Sequence, residues 1–155
     1  MILVTVGMTR FSFQRLLNLS KQLAEKYPKK KIVVQGGSGR LKSKDNLSVK
    51  DFLTYDELVE LIKKAELVIS HGGPATIYLC LKYGKRPLIM PRKKKFNEHI
   101  NDHQVYFTKF LKKRGLVKEI FNFKNVSLRS KRLKYKNIQL KNNLLKKLME
   151  YTDSL

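Results

Sequence analysis

Residues 67–104 read LVISHGGPATIYLCLKYGKRPLIMPRKKKFNEHINDHQ, and their pattern is the main basis for predicting an α/β fold. It begins as an apolar strand, turns at Gly72 and Gly73, continues as an amphipathic helix and a second apolar strand, and closes on a polar cluster. Pro74 stands where the first helical residue would be, a position that tolerates its fixed φ and missing N–H. Free N–H groups and the positive dipole end of such a helix start favour an anion. We therefore interpret the turn as the phosphate end of a nucleotide pocket.

A purely structural interpretation of the Gly-Gly turn stands beside that one. Many α/β proteins carry glycine between a strand and a helix only to turn the chain, and the dipeptide alone favours that explanation. His71 and the polar cluster one strand–helix unit later favour a binding site instead. In open α/β sheets, neighbouring loops at the carboxyl ends of the strands converge on one crevice.

Composition bounds the class of protein. The 155 residues suffice for about one domain with its own core, and 42% of them are hydrophobic. A formal charge of +22, from 34 Lys and Arg against 12 Asp and Glu, suggests phosphate-rich partners such as a nucleotide, an anionic membrane surface or nucleic acid. A proteome rich in lysine would also raise this charge, and we expect both causes to contribute.

Cysteine usage and hydropathy indicate the compartment. The single Cys80 lies in an apolar helical stretch and cannot form an internal disulfide, which fits core packing in a reducing cytoplasm. No run approaches the roughly 18 apolar residues of a membrane span. The chain enters a strand at Ile2 without a basic leader. We therefore expect a cytoplasmic protein, peripheral to a membrane.

Alternating apolar and amphipathic segments predict an α/β protein with a doubly wound, Rossmann-like parallel sheet. The expected strands cover residues 2–6, 31–35, 47–53, 67–70, 87–91 and 116–117, and the expected helices cover residues 13–27, 55–65, 75–83 and 98–114. Ser12 is the expected N-cap of the first helix, and Thr54 with Glu57 predicts a capping box at the second. The Gly-rich loop at residues 36–39 does not match G-x-G-x-x-G, so we interpret its glycines as conformational.

The domain boundary is expected near residue 120. Residues 1–120 form the predicted nucleotide-binding domain, and residues 121–155 form a basic extension with poor periodicity. An apolar stripe over residues 140–149 predicts a short final helix. That helix would dock on the domain itself or meet a partner or membrane surface.

Metal and nucleic-acid sites are weakly supported. His99 and His103 are four residues apart, with Glu98 and Asp102 nearby, but no H-E-x-x-H motif and no Walker A motif occurs. The charge would suffice for nucleic acid, but basic residues are not concentrated on one recognisable helix. We expect neither a metal nor a nucleic-acid partner.

Three segments carry a family resemblance: HGGPAT (71–76), GKRPLIMPR (84–92) and FNEHINDHQ (96–104). With VTVG (4–7) and Phe11, they resemble the PssE-like bacterial glycosyltransferases, which are subunits of exopolysaccharide or capsule synthesis. These are related to the catalytic subunit of the dolichol-linked N-acetylglucosamine transferase. Both are similar to the C-terminal, donor-binding half of MurG-type family 28 glycosyltransferases. The resemblance covers about residues 1–117.

The resemblance implies a single GT-B half-domain that binds a UDP-sugar without a metal or other cofactor. By position, the backbone around Phe52 and Leu53 would meet the uracil, and His71 would line the pocket. The other implied donor contacts are Gly7, Met8, Thr9, Gly72, Gly73 and Thr76 for ribose and diphosphate, and Asn101, Asp102 and Gln104 for the sugar. From its charge, Arg92 is interpreted as stabilising the leaving diphosphate. The candidates for the general base are Glu98, His99 and His103, unless a partner supplies it.

One position departs from the family pattern. Many relatives place a Glu that binds the ribose hydroxyls where this chain has Leu79, so ribose recognition must shift, for example to Asn97 or Glu98, or weaken. The chain also holds one Rossmann-like half where a GT-B enzyme needs two. We therefore expect a PssD-like subunit that anchors the chain to the inner face of the cell membrane. The two subunits would form an inverting enzyme that transfers a sugar to a polyprenyl-diphosphate-linked saccharide. The alternatives are a non-catalytic UDP-sugar-binding accessory subunit and a basic nucleic-acid-binding domain.

Overall fold

A single parallel sheet organises residues 1–128, which are the residues that this computed structural model describes. Its strand order is β3-β2-β1-β4-β5-β6. The strands are β1 (Ile2–Thr5), β2 (Ile32–Gln35), β3 (Leu47–Lys50), β4 (Leu67–Ser70), β5 (Leu88–Ile89) and β6 (Lys118–Glu119). The helices are α1 (Gln14–Lys26), α2 (Tyr55–Lys64), α3 (Pro74–Lys82) and α4 (His103–Lys113), with 3₁₀ turns at Lys94–Phe96 and Phe123–Asn125. The strand order reverses between β1 and β4, which confirms the doubly wound, Rossmann-like prediction.

The central strands are buried on both faces because they consist of apolar, mostly β-branched residues. On one face Ile2 and Val4 pack with Leu16 and Leu17 of α1. On the other face Leu3 lies in a cluster with residues of α2 and α3, including the fully buried Cys80, which therefore serves as core packing. Each such side chain contributes about 1.5–3 kcal/mol on burial, so these two layers hold the sheet rigid behind the loops.

The predicted capping box at α2 is confirmed. Thr54 Oγ1 accepts a hydrogen bond from the Glu57 backbone N–H at 3.2 Å, and the Thr54 N–H donates to Glu57 Oε2 at 2.9 Å. Pro74 is the first residue of α3, as predicted. The prediction of Ser12 as the cap of α1 is wrong, because Phe13 occupies that position and its carbonyl oxygen accepts the N–H groups of Leu16 and Leu17.

Two boundaries near the polar cluster differ from the prediction. Helix α4 begins at His103 rather than Glu98, because side-chain carboxylates tie up the backbone before it. The N–H of Lys93 donates to Glu98 at 3.0 Å and that of Lys94 donates to Asp102 at 2.8 Å, which folds this segment into a loop. The last strand, Lys118–Glu119, begins two residues after the predicted start at residue 116. The later start of α4 places His99 in the preceding loop and His103 at the first position of the helix.

Part of the basic extension packs on the domain. Phe123, Val126 and Leu128 lie against the α1 face of the core, and Lys26 Nζ lies 4.8 Å from the centre of the Phe123 ring. The final helix predicted over residues 140–149 lies outside the described residues. Within residues 1–128, no helix is long and apolar enough to cross a membrane.

Candidate functional site

A cleft of about 400 Å³ opens at the carboxyl edge of the sheet, beside the ends of β1 and β4. This is the switch point of the strand order, where doubly wound folds bind ligands. Its predicted members are Gly7, Met8, Leu53, His71, Gly73 and Thr76, and its other members are Gln35, Thr54, Tyr55, Leu58, Pro74, Ala75, Tyr78 and Leu79. The prediction therefore contains six residues of the cleft but not Tyr55 and Tyr78. Tyr55 directly follows the N-cap residue Thr54, and this place at the start of α2 is the sequence feature that indicates a position beside the cleft.

His71 is packed between two glycines. Gly7 has a φ of +77°, and a Cβ built on it would lie 2.5 Å from the His71 ring, while a Cβ on Gly73 would overlap the same ring. The His71 N–H donates to Thr5 O at 3.2 Å, and its Nδ1 lies 3.3 Å from Ser70 Oγ. These glycines are needed because the imidazole fills the space that their side chains would take.

The N-terminus of α3 meets the cleft without a side-chain cap. Gly73 is the N-cap and its N–H donates to His71 O at 2.9 Å, while Pro74 has no N–H to donate. The next helical residues, Ala75 and Thr76, line the cleft. The first N–H groups of a helix have no intrahelical partner, so this end of α3 can receive an anion such as a phosphate.

Burial governs the charge of His71. Desolvation, assisted by the nearby Arg92 guanidinium, lowers the pKa of His71 to about 3, so its imidazole is neutral at physiological pH.

We predict that acidification from about pH 6.5 toward pH 3 destabilises the fold. The unfolded chain, with its unperturbed histidine pKa of 6.5, binds more protons in that window. The free energy of unfolding should fall with decreasing pH at a slope that approaches about 1.4 kcal/mol per pH unit for one proton.

Chemical denaturation at several pH values measures this dependence. His71→Gln removes the titrating group, so it should flatten the slope between about pH 6.5 and pH 4 relative to the wild type. An unchanged slope in His71→Gln would show that other groups control the acid sensitivity.

Gln104 joins two loops of the site. Its Oε1 accepts hydrogen bonds from the backbone N–H groups of Gly72 and Arg92, both at 3.2 Å. A Cβ on Gly72 would come within 2.8 Å of the Gln104 Cβ, so this close contact also requires glycine. The carbonyl group of Gln104 thus positions the loops after β4 and β5, whereas the family resemblance implies that Gln104 binds the sugar hydroxyls.

The assignment of Arg92 to the diphosphate is corrected by the structure. Its side chain is fully buried, and its guanidinium donates to four backbone carbonyls: Val6 O at 2.6 Å, Phe11 O at 2.9 Å, Glu98 O at 3.0 Å and Ser12 O at 3.4 Å. It also lies 4.7 Å from the centre of the Phe13 ring. Burial lowers the pKa of Arg92 to about 10, and the group stays charged at neutral pH. Arg92 therefore ties the loop after β5 to the loop after β1.

Glu98 is also corrected, from general base to structural anchor. Its carboxylate is nearly fully buried and forms a bidentate pair with Arg15, at 2.7 Å from Nε and 2.6 Å from the terminal nitrogen. It further accepts the Lys93 N–H. The ion pair and the backbone donor engage both carboxylate oxygens, so Glu98 is not available to an acceptor hydroxyl or to ribose hydroxyls.

The remaining polar residues lie together at the start of α4. The rings of His99 and His103 are 4.5 Å apart in an edge-to-face arrangement, and Phe11 lies 6.0 Å from His99. Asn101 Oδ1 contacts His103 Nδ1, while Asp102 accepts the Lys94 N–H. None of these four polar residues lines the cleft, but His99 is near enough to His71 that it contributes to lowering the pKa of His71.

Phe52, Thr9 and Gly72 are further predicted members that lie outside the cleft lining. Phe52 is 59% exposed and does not line the cleft, whereas its neighbour Leu53 does. The Thr9 hydroxyl donates to Phe11 O at 3.4 Å and supports its own loop. Among residues 1–128, no group of three or more His, Cys, Asp or Glu side chains is arranged to hold a metal ion.

Residues 1–150 match the sequence model described as the glycosyltransferase family 28 C-terminal domain. The chain belongs to this family. Its sheet is the Rossmann-like α/β half-domain found as the C-terminal domain of GT-B glycosyltransferases. No curated protein sequence gives a significant match.

Solved glycosyltransferases share the fold of this family 28 domain at low sequence identity. The glycosyltransferase of kitacinnamycin is 17% identical over 81% of this chain, with a TM-score of 0.57. SnogD from Streptomyces nogalater is 16% identical over 96%, with a TM-score of 0.56. The spinosyn forosaminyltransferase SpnP is 19% identical over 80%, with a TM-score of 0.57. The chain spans 31%, 39% and 32% of these enzymes respectively, about a third of their length.

Proposed function

We propose that this family 28 domain is the donor-binding, catalytic subunit of an inverting glycosyltransferase whose donor is a UDP-sugar. The observation that carries the proposal is the uncapped N-terminus of α3 facing a cleft of about 400 Å³ at the switch point of the sheet. A diphosphate is the anion that such a helix start favours. The choice of UDP rests on the resemblance of the segments at residues 71–76, 84–92 and 96–104.

The shape of the cleft suggests how the donor would lie. The diphosphate would accept hydrogen bonds from the N–H groups of Ala75 and Thr76. The nucleoside would extend over the apolar wall formed by Leu53, Tyr55 and Leu79. The sugar would then point past His71 toward the polar residues at the start of α4. Apolar walls with a few convergent polar groups are typical of nucleotide and other small-molecule sites.

Calorimetric titration of the full chain with UDP, ADP, GDP and a short oligonucleotide tests the donor assignment. An ionic strength of about 0.15 M screens much of the non-specific attraction to a chain of charge +22. We expect binding of UDP in preference to the purine nucleotides and the oligonucleotide. Tight oligonucleotide binding without any preference for UDP would contradict the proposal and support a nucleic-acid-binding domain.

We further propose that a second, PssD-like subunit supplies the acceptor half and that the acceptor is a polyprenyl-diphosphate-linked saccharide of exopolysaccharide or capsule synthesis. The support is the resemblance of residues 71–76, 84–92 and 96–104 to the PssE-like subunits. UDP-sugar consumption should require both subunits and a lipid-linked acceptor. An Asp102→Ala variant that forms the complex and retains full turnover would favour the alternative, a non-catalytic accessory subunit.

We also propose that the domain meets an anionic membrane surface beside this site. Lysines occupy residues 93–95, Phe96 is 48% exposed, and Lys93 Nζ lies 5.6 Å from the centre of the exposed Phe121 ring. Exposed aromatic rings with adjacent cations suit the interface of an anionic bilayer, where each lysine contributes about 1 kcal/mol.

Sedimentation with vesicles tests this membrane contact. Replacing the lysines at residues 93–95 with glutamine should weaken binding to vesicles that contain anionic lipid. The matched control is the same change at residues 29–31, a second triple lysine at the opposite edge of the sheet, just before β2. Equal losses in the two variants would indicate attraction by overall charge and no specific surface.

Leu79 leads to a prediction about how strongly the domain recognises the ribose hydroxyls of UDP. It lines the cleft at the position where the resemblance implies a ribose-binding Glu, and it offers no hydrogen-bond acceptor. We expect the wild type to bind UDP and 2′-deoxy-UDP with similar affinity. Leu79→Glu should favour UDP by roughly tenfold, since one hydrogen bond to a charged group contributes about 1.5 kcal/mol. Leu79→Gln is the uncharged control, and an unchanged preference in Leu79→Glu would place the ribose elsewhere.

A further inference from the structure

A row of buried polar side chains crosses the sheet beneath the cleft. Thr5 of β1 pairs in register with Gln35 of β2 on one side and with Ser70 of β4 on the other. The residues two positions earlier, which share the same face of the sheet, belong to the apolar core: Leu3, Val33 and Val68. This face therefore changes from apolar to polar at the carboxyl ends of three neighbouring strands, and buried polar groups require hydrogen-bond partners.

The Thr5 hydroxyl fixes the orientation of the Gln35 amide. Thr5 Oγ1 accepts the backbone N–H of Gly7 at 3.3 Å and donates its own proton to Gln35 Oε1. The reversed amide would leave this fully buried hydroxyl proton without an acceptor among residues 1–128, which is an unfavourable state for a buried donor. The amide nitrogen of Gln35 therefore points away from Thr5.

The Gln35 amide nitrogen has no protein acceptor within residues 1–128, although the residue is only 2% exposed. In the same part of the chain, the side-chain atoms that are sealed inside the protein without a partner are Arg86 Nε, Arg92 Nε and Thr108 Oγ1. The Gln35 nitrogen is not one of these sealed atoms. Because Gln35 lines the cleft, its two N–H bonds are available to a ligand there.

Gln35 lies on the side of the cleft away from the phosphate site. Strand β1 separates β2 from β4, so Gln35 is two strand spacings, about 10 Å, from the strand that leads into α3. On its other side, the backbone N–H of Gly36 donates to Lys50 O at 2.8 Å, which places Gln35 beside the segment that runs to Leu53 and the apolar wall. A nucleotide whose diphosphate lies at α3 would bring its base here, since the ribose alone does not span that distance.

We propose that Gln35 recognises the base of the bound nucleotide, with its Nε2–H group donating a hydrogen bond to a ring carbonyl oxygen and Thr5 as the positioning residue that orients the amide. This inference rests on the proposed UDP-sugar function. A base carbonyl can only accept and the amide nitrogen can only donate, so the two groups are complementary. The contact involves neither the diphosphate nor the ribose, and it can therefore be tested separately from the site at α3.

The side-chain N–H signals of Gln35 test the contact in the wild-type full chain. A titration with UDP should shift these signals in a saturable way. Ribose 5-phosphate lacks the base, so at concentrations that shift the backbone amides at the start of α3 it should leave the Gln35 side-chain signals in place. Unmoved Gln35 signals at saturating UDP, or equal shifts with the two ligands, would overturn the inference.

Substitutions measure the strength of the contact. Gln35→Met has a similar shape but no donor, so it should lower the affinity for UDP by roughly three- to tenfold and leave the affinity for ribose 5-phosphate unchanged. Gln14→Met, the same change at an exposed position of α1, is the matched control and should bind UDP as the wild type does. Thr5→Val should weaken UDP binding more than Thr5→Ser, which keeps the hydroxyl.

The failure of this inference is distinguishable from the failure of the proposed function. Wild-type UDP affinity in a folded Gln35→Met protein would refute the base contact alone. A wild type that does not bind UDP would refute the proposed function itself. If Gln35→Met does not fold, the titration of the wild type decides the question without any variant.

Discussion

Replacing Arg92 with methionine should lower the free energy of unfolding by about 3 kcal/mol or more. The guanidinium is fully buried and donates to the backbone carbonyls of Val6, Phe11 and Glu98, which methionine would leave without their donor. Leaving buried polar groups unsatisfied costs about 1–3 kcal/mol each, and this cost outweighs the gain from removing a buried charge. Chemical denaturation of the full chain measures the change as a shift in the transition midpoint.

An exposed arginine supplies the control for this change. Arg40 lies on the surface, so Arg40→Met should alter stability by no more than about 0.5 kcal/mol. An Arg92→Met protein that is as stable as the wild type, yet no longer binds UDP, would reverse the conclusion. It would restore the diphosphate role that the charge of Arg92 suggests from the sequence.

Placing an aspartate at position 75 should abolish most nucleotide binding without harming the helix. Ala75 is exposed at the N-terminal turn of α3 and lines the cleft. A carboxylate there improves the helix dipole interaction by about 0.3–1 kcal/mol, so Ala75→Asp should be at least as stable as the wild type. The same charge competes with a diphosphate for the helix N–H groups and repels it. We expect the UDP affinity to fall by roughly tenfold or more, since 1.4 kcal/mol of repulsion suffices for that factor.

Calorimetric titration with UDP and thermal denaturation measure the two effects of Ala75→Asp separately. Ala75→Ser is the matched control, because it adds a small polar group without charge and should retain UDP binding. Raising the salt concentration should reduce the difference between the two variants, as expected for a partly exposed charge. Wild-type affinity in Ala75→Asp would mean that the diphosphate does not lie at α3.

The parts of the fold that follow from local chemistry were predictable. Apolar β-branched runs gave the central strands, Thr54 and Glu57 gave the capping box, and Pro74 marked the start of α3. The Gly-Gly turn beside His71 located the cleft. Each of these features depends on neighbours within a few residues, which a single sequence displays directly.

The misassigned residues depend on partners far away in the chain. Glu98 pairs with Arg15, which is 83 positions earlier, and Arg92 donates to Val6, which is 86 positions earlier. Periodicity and spacing carry no information on such pairs. A charged residue in a glycine-rich or polar segment suggests a ligand when its buried partner is unknown. The start of α4 was misplaced for a more local reason, since the carboxylates of Glu98 and Asp102 accept backbone N–H groups five and eight positions earlier and hold this segment in a loop.

These long-range contacts also explain why the site is rigid. Arg92 and Glu98 fasten the loop after β5 to α1 and to the loop after β1, and Gln104 fastens it to the loop after β4. His71 then fills the space between Gly7 and Gly73. The loops that form the cleft are thus held together before any ligand binds, which reduces the entropy lost on binding.

The most direct test of the donor site is a UDP titration of the full chain, followed by the backbone amide signals at an ionic strength of about 0.15 M. The account predicts that the largest and saturable shifts occur at Gly73, Ala75 and Thr76, at the start of α3. Saturable shifts confined to other parts of the chain, with these three amides unchanged, would contradict it.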